Sequence, residues 1–222
     1  MMNFKSFASW AMGVFLMILI SVALPVYAQY FPTPAQTMTN CVYVGALEIS
    51  GAPAENGRDE VGVFIDDGEG GEILVGAGLM GAVLPEYYYV TVYGDDPTTP
   101  DKDGAEAGDT LIFKVWDGST REVQTVAPSR MTYSAYTGLT QPAIPPTWHD
   151  GHTYGLLNIS TVKKGDVDGN GNIELKDALI ALKLVTAMDD PGSCDLGADL
   201  NGDGRIGLQE AVFVLWTVSE AN

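Results

Sequence analysis

The sequence is poor in cysteine, in basic residues and in long apolar runs, and each shortage excludes something. Its two cysteines, Cys41 and Cys194, allow one disulfide at most, and the sequence leaves open whether they pair. Against 29 acidic residues stand 11 basic ones, and the resulting net charge of -18 makes nucleic acid an unfavourable partner. After residue 28, no apolar stretch approaches the roughly 20 residues that cross a bilayer.

The chain also lacks the sequence signatures of common enzymes. It contains no GxSxG, HExxH, phosphate-binding loop or cysteine–histidine arrangement. Acidic residues are plentiful, but none stands in a recognisable motif that would place the two carboxylates of a glycosidase across a cleft. A binding protein is therefore favoured over an enzyme. A small hydrolase of polysaccharides is the alternative.

Residues 1–28 predict a secretory signal peptide. A single basic residue, Lys5, precedes an apolar run over residues 8–24, and small residues at Val26 and Ala28 occupy the positions that a signal peptidase reads. A membrane anchor is the alternative, but no stop-transfer pattern follows. We therefore expect a secreted, extracellular protein, either free or associated with a cell surface, with no membrane contact after the signal is removed.

Residues 166–210 carry the same 12-residue pattern of oxygen-bearing side chains twice. Such side chains stand at loop positions one, three, five and twelve, with Gly171 or Gly204 at position six and a backbone carbonyl available at position seven. This spacing suits Ca²⁺, which takes six to eight oxygen ligands, so two ions are predicted. The predicted ligands are Asp166, Asp168, Asn170, Asn172 (carbonyl) and Asp177, then Asp199, Asn201, Asp203, Arg205 (carbonyl) and Glu210.

Each loop is followed by an apolar run of helical length, at residues 178–185 and 211–218, and the two copies align as an internal duplication. Both runs are apolar nearly all round, whereas two short helices that pack together cover only one stripe each. Apolar surface is therefore left over for a partner. The alternative is that this surface packs on the rest of the same chain.

Because of these two loops and the apolar runs that follow them, residues 166–222 resemble a type I dockerin. A dockerin is a module related to EF-hands that docks secreted proteins onto cohesin domains. The resemblance implies a small all-α fold with two calcium loops and a cohesin-bearing partner. Glu210 departs from the Asp that more often closes the second loop, and the residue pairs of cellulosomal types are absent, which leaves the class of cohesin open. The resemblance places partner contacts at Leu175, Lys176, Leu182, Lys183, Leu208, Gln209, Leu215 and Trp216.

Residues 41–160 show short alternating runs bounded by Gly, Asp and Pro, a pattern typical of an antiparallel β-sandwich. This part resembles immunoglobulin-like or carbohydrate-binding modules. The predicted fold class is thus multidomain: an antiparallel, immunoglobulin-like β-sandwich followed by a small all-α dockerin. The predicted division is a signal peptide at 1–28, an entry segment at 29–40, the sandwich at 41–160, a linker at 161–165 and the dockerin at 166–222.

Strand alternation identifies candidate residues for sugar binding. If Tyr88 and its alternate neighbours are buried, four other aromatic side chains share the opposite surface, where flat rings can stack on the C–H faces of sugars. These are Tyr87, Tyr89, Tyr93 and Trp116.

Taken together, the sequence predicts a secreted, calcium-dependent adaptor that docks to a cohesin-bearing scaffold or surface protein and carries a binding module, with polysaccharide as the candidate ligand. The alternatives are a dockerin-targeted polysaccharide hydrolase and a cell-surface structural or adhesion protein.

Overall fold

The computed structural model describes residues 29–134, 143–151, 156–188 and 194–220. The predicted signal peptide lies outside these ranges. Within them, neither of the two helices has the length and apolarity that a bilayer crossing requires.

Six strands form the larger of two sheets, in the order β1-β6-β5-β4-β7-β8 with every neighbouring pair antiparallel. Numbered in chain order, they are β1 (Asn40–Gly45), β4 (Glu60–Asp66), β5 (Glu72–Leu79), β6 (Tyr88–Tyr93), β7 (Ile112–Asp117) and β8 (Glu122–Thr125).

Four short strands form the smaller sheet, in the order β3-β2-β10-β9. Here β10 runs parallel to β2 and antiparallel to β9, so the sheet is mixed. These strands are β2 (Leu47–Ile49), β3 (Ala52–Pro53), β9 (Met131–Tyr133) and β10 (Leu157–Ser160).

The two sheets enclose one apolar core. Along β6 and β7 every second side chain is buried, as the period-two pattern predicts for strands with one covered face. The core contains Tyr43 of β1, Tyr88 of β6 and Phe113 of β7, and the smaller sheet contributes Leu157 and Ile159. The alternate residues of the larger sheet point away from this core, and we call that surface the outer face.

The chain passes from the larger to the smaller sheet directly after Gly45, the last residue of β1. A Cβ atom on Gly45 would lie 1.8 Å from the carbonyl oxygen of Leu157, which is fully buried in β10. The next residue, Ala46, continues the contact, because its N–H donates to Asn158 Oδ1 at 3.0 Å. The two sheets therefore meet backbone to backbone at this corner, and only glycine fits.

The segment before β1 crosses the outer face and is held by a buried carboxylate. Glu60, 1% exposed, accepts the backbone N–H of Tyr30 at 2.7 Å and that of Phe31 at 3.1 Å. The Tyr30 ring stacks on Trp116 with centroids 3.8 Å apart and planes 5° from parallel. At the other end, the Thr37 hydroxyl donates to the carbonyl of Gly94 at 2.6 Å. Residues 29–39 thus cover part of the sheet.

We expect Glu60→Gln to destabilise the protein by about 1 to 3 kcal/mol, because an amide offers one acceptor oxygen where the carboxylate offers two to buried N–H groups. Urea unfolding followed by tryptophan fluorescence measures the change. Glu122→Gln is the matched control, since Glu122 is exposed on β8 and should change stability by less than about 0.5 kcal/mol. Equal midpoints for the two variants would contradict the role of Glu60.

The C-terminal segment, residues 161–220, contains two α-helices, α1 (Leu175–Val185) and α2 (Leu208–Glu220), packed on each other. Its start, the predicted linker at 161–165, contacts both parts of the chain. The Thr161 N–H donates to the carbonyl of Glu48 in β2 at 2.9 Å, and Val162 is already part of a second apolar core with residues of both helices. The segment therefore continues directly from β10.

The predicted fold class, an antiparallel immunoglobulin-like β-sandwich followed by an all-α dockerin with two calcium loops, is wrong. The described residues form a mostly-β fold of ten strands in two sheets, with only two short helices at the C-terminal end. The smaller sheet is not antiparallel throughout, because β10 pairs in parallel with β2. Alternation indicates which face of a strand is buried, but it does not say which strand it pairs with or whether the pair is parallel. The strands β10 and β2 that pair here are more than 100 residues apart in the sequence.

Candidate functional site

The first of the two oxygen-rich loops, residues 166–177, brings three acidic side chains together. Oxygen atoms of Asp166, Asp168 and Asp177 all lie within 4.8 Å of one another, and this is the one group of this kind among the described residues. Asp166 is buried, and its two oxygens accept the N–H groups of Asn170 at 3.0 Å and Gly171 at 2.7 Å. The carboxylate is thereby fixed toward the inside of the loop.

Asp177 links the first loop to the start of α1. It is fully buried, and its two oxygens accept the N–H of Asp168 at 3.0 Å and the N–H of Glu174 at 2.9 Å. Glu174 is the N-cap of α1, and Asp177 occupies the third position of the helix, so the two form a capping box. The same carboxylate therefore closes the loop and begins the helix.

The charges of the first loop are unevenly balanced. Burial raises the pKa of Asp166, and the nearby carboxylate of Asp177 adds to the rise, against the opposing N–H donors. Burial also acts on Asp168, but the hydrogen bond and charge of Lys176, whose Nζ lies 2.6 Å away, outweigh it and lower the pKa of Asp168. Among the described residues, no basic side chain forms an ion pair with Asp166 or Asp177, so the loop brings more acidic than basic groups together.

The second loop, residues 199–210, repeats two hydrogen bonds of the first: the N–H at position six donates to the first residue, and the N–H at position nine donates to the closing residue. Asp199 Oδ2 accepts the N–H of Gly204 at 2.7 Å, as Asp166 does with Gly171. The closing Glu210, 2% exposed, accepts the N–H of Leu200 at 3.1 Å and that of Gly207 at 2.7 Å. The local fold of each loop therefore follows from equivalent residues.

The remaining predicted ligands lie at the open side of each loop. Asn170, Asn172, Asn201, Asp203 and Arg205 are all exposed. In the second loop the Asn201 amide donates to Asp203 at 3.0 Å.

Glycine at position six has a conformational cause. Gly171 and Gly204 have φ angles of 93° and 76°, in the left-handed region that favours glycine, and a Cβ on either would meet nothing within 4 Å. The turn, and not crowding, therefore requires them. The side chains that the two loops direct inward, those of Asp166, Asp177, Asp199 and Glu210, are carboxylates, so these residues fit a hard cation such as Ca²⁺.

The two helices expose apolar residues at equivalent positions. Leu175 and Leu208, one residue after position nine of each loop, are 61% and 59% exposed. Leu182 and Leu215, two turns further, are 39% and 45% exposed, and Trp216 is 58% exposed. The other predicted contact residues, Lys176 and Gln209, are exposed as well, and Lys183 is half-buried.

Sequence reasoning missed one pair of this surface, Leu179 and Val212, which are 53% and 57% exposed. The duplication itself was the available signal, since the two residues are equivalent in the aligned copies. A groove of about 430 Å³ lies beside Val212, between Leu200, Phe213 and Trp216. We call the exposed apolar residues of α1 and α2 the helix surface.

The four predicted sugar-binding aromatics do not form one cluster. Tyr89 and Tyr93 of β6 and Trp116 of β7 share the outer face, but β5 and β4 lie between them, a separation of roughly 14 Å at the usual strand spacing. Tyr87 lies in the turn before β6. Tyr30, which the sequence did not single out, covers one face of Trp116 and is itself 47% exposed.

The two cysteines are both free thiols. Cys41 belongs to the core between the sheets, and Cys194 packs against the core of the C-terminal segment. Burial raises the pKa of the Cys41 thiol to about 11, so it stays protonated at neutral pH.

No protein-family model matches this chain, and neither a curated protein nor a solved structure matches it.

Proposed function

We propose that this protein is a secreted, calcium-dependent adaptor. Its two loops bind one Ca²⁺ each, and its helix surface binds a cohesin domain of a scaffold or surface protein. The observation that supports the proposal best is the twofold repetition: equivalent loops with equivalent hydrogen bonds precede helices that expose equivalent apolar residues.

The loops and the helix surface are coupled through the closing carboxylates. Asp177 and Glu210 lie in the first turns of α1 and α2 and also face into their loops. When bound, Ca²⁺ supplies the positive charge that these buried carboxylates lack. The chain's own part is to hold Asp166 and Asp177, and likewise Asp199 and Glu210, toward one point, which fixes where each helix starts.

The helix surface suits a protein partner more than a small ligand. Its most exposed residues are leucines on two neighbouring helices, and such an apolar area on a protein of net charge -18 is costly unless another surface covers it. At three exposed positions α1 and α2 present equivalent apolar residues, Leu175 and Leu208, Leu179 and Val212, and Leu182 and Leu215, and in this proposal one partner surface contacts either set. Binding in two orientations follows from this arrangement.

Polysaccharide binding by the outer face is the second candidate. It is supported by the stacked pair of Tyr30 and Trp116, because the Tyr30 ring is 47% exposed and offers a flat aromatic surface to a sugar. In this role the sheets would carry the ligand-binding part of the adaptor. The hydrolase and the structural protein stay alternatives that no arrangement of described residues favours.

Binding to a panel of cohesins, measured by calorimetry on the full chain, tests the adaptor proposal. Because the helix surface is duplicated, we expect Leu182→Lys or Leu215→Lys alone to leave binding within a few-fold of the parent. The double variant should lose about 100-fold or more, since it buries a charge in either orientation.

Val123→Lys is the control, because Val123 is an exposed apolar residue of β8, outside the helix surface. It should bind as the parent does. Binding that survives in the double variant, or that is unchanged in EDTA, would reject the proposed site.

A further inference from the structure

Arg130, in the turn before β9, reaches the first loop. Arg130 ends a 3-10 turn (Pro128–Arg130) that leads into β9. Its Nε donates to Asp195 Oδ2 at 2.7 Å, and a terminal nitrogen donates to the carbonyl oxygen of Gly169 at 3.3 Å. The side chains of this ion pair are 26% and 11% exposed, so the pair is largely shielded from water.

The two groups that Arg130 contacts belong to different parts of the C-terminal segment. Gly169 is the fourth residue of the first loop. Asp195 lies between the loops, where its N–H donates to the carbonyl of Val167 at 2.8 Å and its Oδ1 accepts the N–H of Gly197 at 2.8 Å. Asp195 thereby caps a 3-10 turn, Leu196–Ala198, that runs directly into the second loop. One guanidinium therefore joins the first loop to the turn between the loops.

The contact distinguishes the two copies of the duplication. Gly169 and its equivalent, Gly202, both have positive φ, at 68° and 74°. A Cβ on Gly169 would lie 2.1 Å from a guanidinium nitrogen of Arg130, whereas a Cβ on Gly202 would meet nothing within 4 Å. The turn requires glycine in both copies, but only in the first does another side chain occupy the space that glycine leaves.

We propose that Arg130 is a positioning residue for the first cation loop, which ties cation binding in that loop to the sheets. The inference rests on the proposed binding of Ca²⁺. Arg130 acts through the backbone of Gly169 and through Asp195, neither of which is a proposed ligand.

Two effects of Arg130 on a cation oppose each other. Its positive charge repels a cation, but the charge is paired with Asp195 at 2.7 Å, so the net field of the pair at the loop is small. The loss of the two hydrogen bonds, in contrast, frees a loop whose carboxylates must be held close together against their own repulsion. We therefore expect Arg130 to strengthen Ca²⁺ binding, because its ordering of the loop has a larger effect than the repulsion between its charge and the ion.

Calcium titration of the full chain by calorimetry tests whether Arg130 strengthens or weakens Ca²⁺ binding in the first loop. We expect Arg130→Gln to weaken one of the two Ca²⁺-binding events by about tenfold and to leave the affinity of the other within about twofold of the parent. Tenfold is the lower end of the usual loss of affinity when a group that orients metal ligands is removed. Arg130→Lys should recover part of the loss, since one ammonium keeps a donor and the charge. Arg121→Gln, at an exposed hairpin position, makes the same change of charge and should match the parent.

Hydrogen exchange in the same variants separates this inference from the proposed function. In EDTA as well as in Ca²⁺, Arg130→Gln should speed exchange at the amides of Gly169 and Asp195 relative to Arg121→Gln, because the contacts join protein groups only. A parent that takes up no Ca²⁺ would defeat the proposed function and the tie to cation binding, whereas faster exchange in Arg130→Gln would still show that Arg130 positions the loop. Equal exchange in the two variants, or tighter Ca²⁺ binding in Arg130→Gln, would overturn the inference.

Discussion

Removal of Ca²⁺ is expected to unfold α1 and α2 and to lower the free energy of unfolding of the C-terminal segment by several kcal/mol. At a free Ca²⁺ concentration a thousand times the dissociation constant, each bound ion stabilises the folded state by about 4 kcal/mol. Without the ions, the buried carboxylates of Asp166, Asp177, Asp199 and Glu210 repel one another in surroundings that contain few bases.

The apolar core of this segment is too small to offset that repulsion. Its buried members are mainly alanine and valine, with Ile206 the largest, and Ile180 and Leu184 pack against them only in part. The other leucines of the two helices are exposed. Folding of the segment should therefore be coupled to the cation, as in other small sites whose ligands are assembled only on folding.

Differential scanning calorimetry and circular dichroism of the full chain, with Ca²⁺ and with EDTA, measure this effect. The Asp166→Ala, Asp199→Ala double variant should show no response to Ca²⁺. Asp101→Asn, which removes an exposed carboxylate from the loop between β6 and β7, should respond as the parent does. Full helix content in EDTA would show that folding of the segment is independent of the ion.

Gly45→Ala is expected to destabilise the protein by about 3 kcal/mol or more, or to prevent folding, because the added methyl group overpacks a site that cannot yield. The atom in its way is the carbonyl oxygen of Leu157, 1.8 Å from the ideal Cβ position. That carbonyl also accepts the hydroxyl of Tyr88, another fully buried residue. Relief of the clash would separate the two sheets at the corner where the chain crosses between them.

Gly207→Ala is the matched control for the same added methyl group. The nearest atom to its Cβ would be 3.8 Å away, an ordinary contact, and as a substitution at the residue before α2 it should cost less than about 1 kcal/mol. Urea unfolding of both variants in Ca²⁺ gives the comparison. If Gly45→Ala unfolds at the same urea concentration as the control, the close approach of β1 and β10 is not what joins the sheets.

The features that could be predicted from the sequence are those with a local cause. The burial of Tyr88, Val90 and Val92 follows from alternation along β6, because successive side chains of a strand point to opposite faces. Glycine at position six of each loop follows from the turn that the chain makes there. The exposed leucines follow from two short apolar helices that bury only one stripe each.

The fold class could not be predicted in the same way. Alternating runs are equally compatible with parallel and antiparallel partners, and β10 joins β2 across more than 100 residues of sequence. The burial of Glu60 was also beyond prediction, since an acidic residue on an outer face normally meets water. It is buried here because Tyr30 and Phe31, from a segment with no regular structure, lie over it.

By itself, the sequence determined the duplicated loops, the oxygen atoms that they turn inward and the apolar residues that the two helices cannot cover. Each of these features depends on residues that are close together in the sequence. Only the tertiary structure decided that β10 pairs with β2, that Gly45 meets Leu157 and that Arg130 reaches Gly169. These contacts join residues 39 to 112 positions apart, where no local period applies and close packing of the whole chain selects the partner.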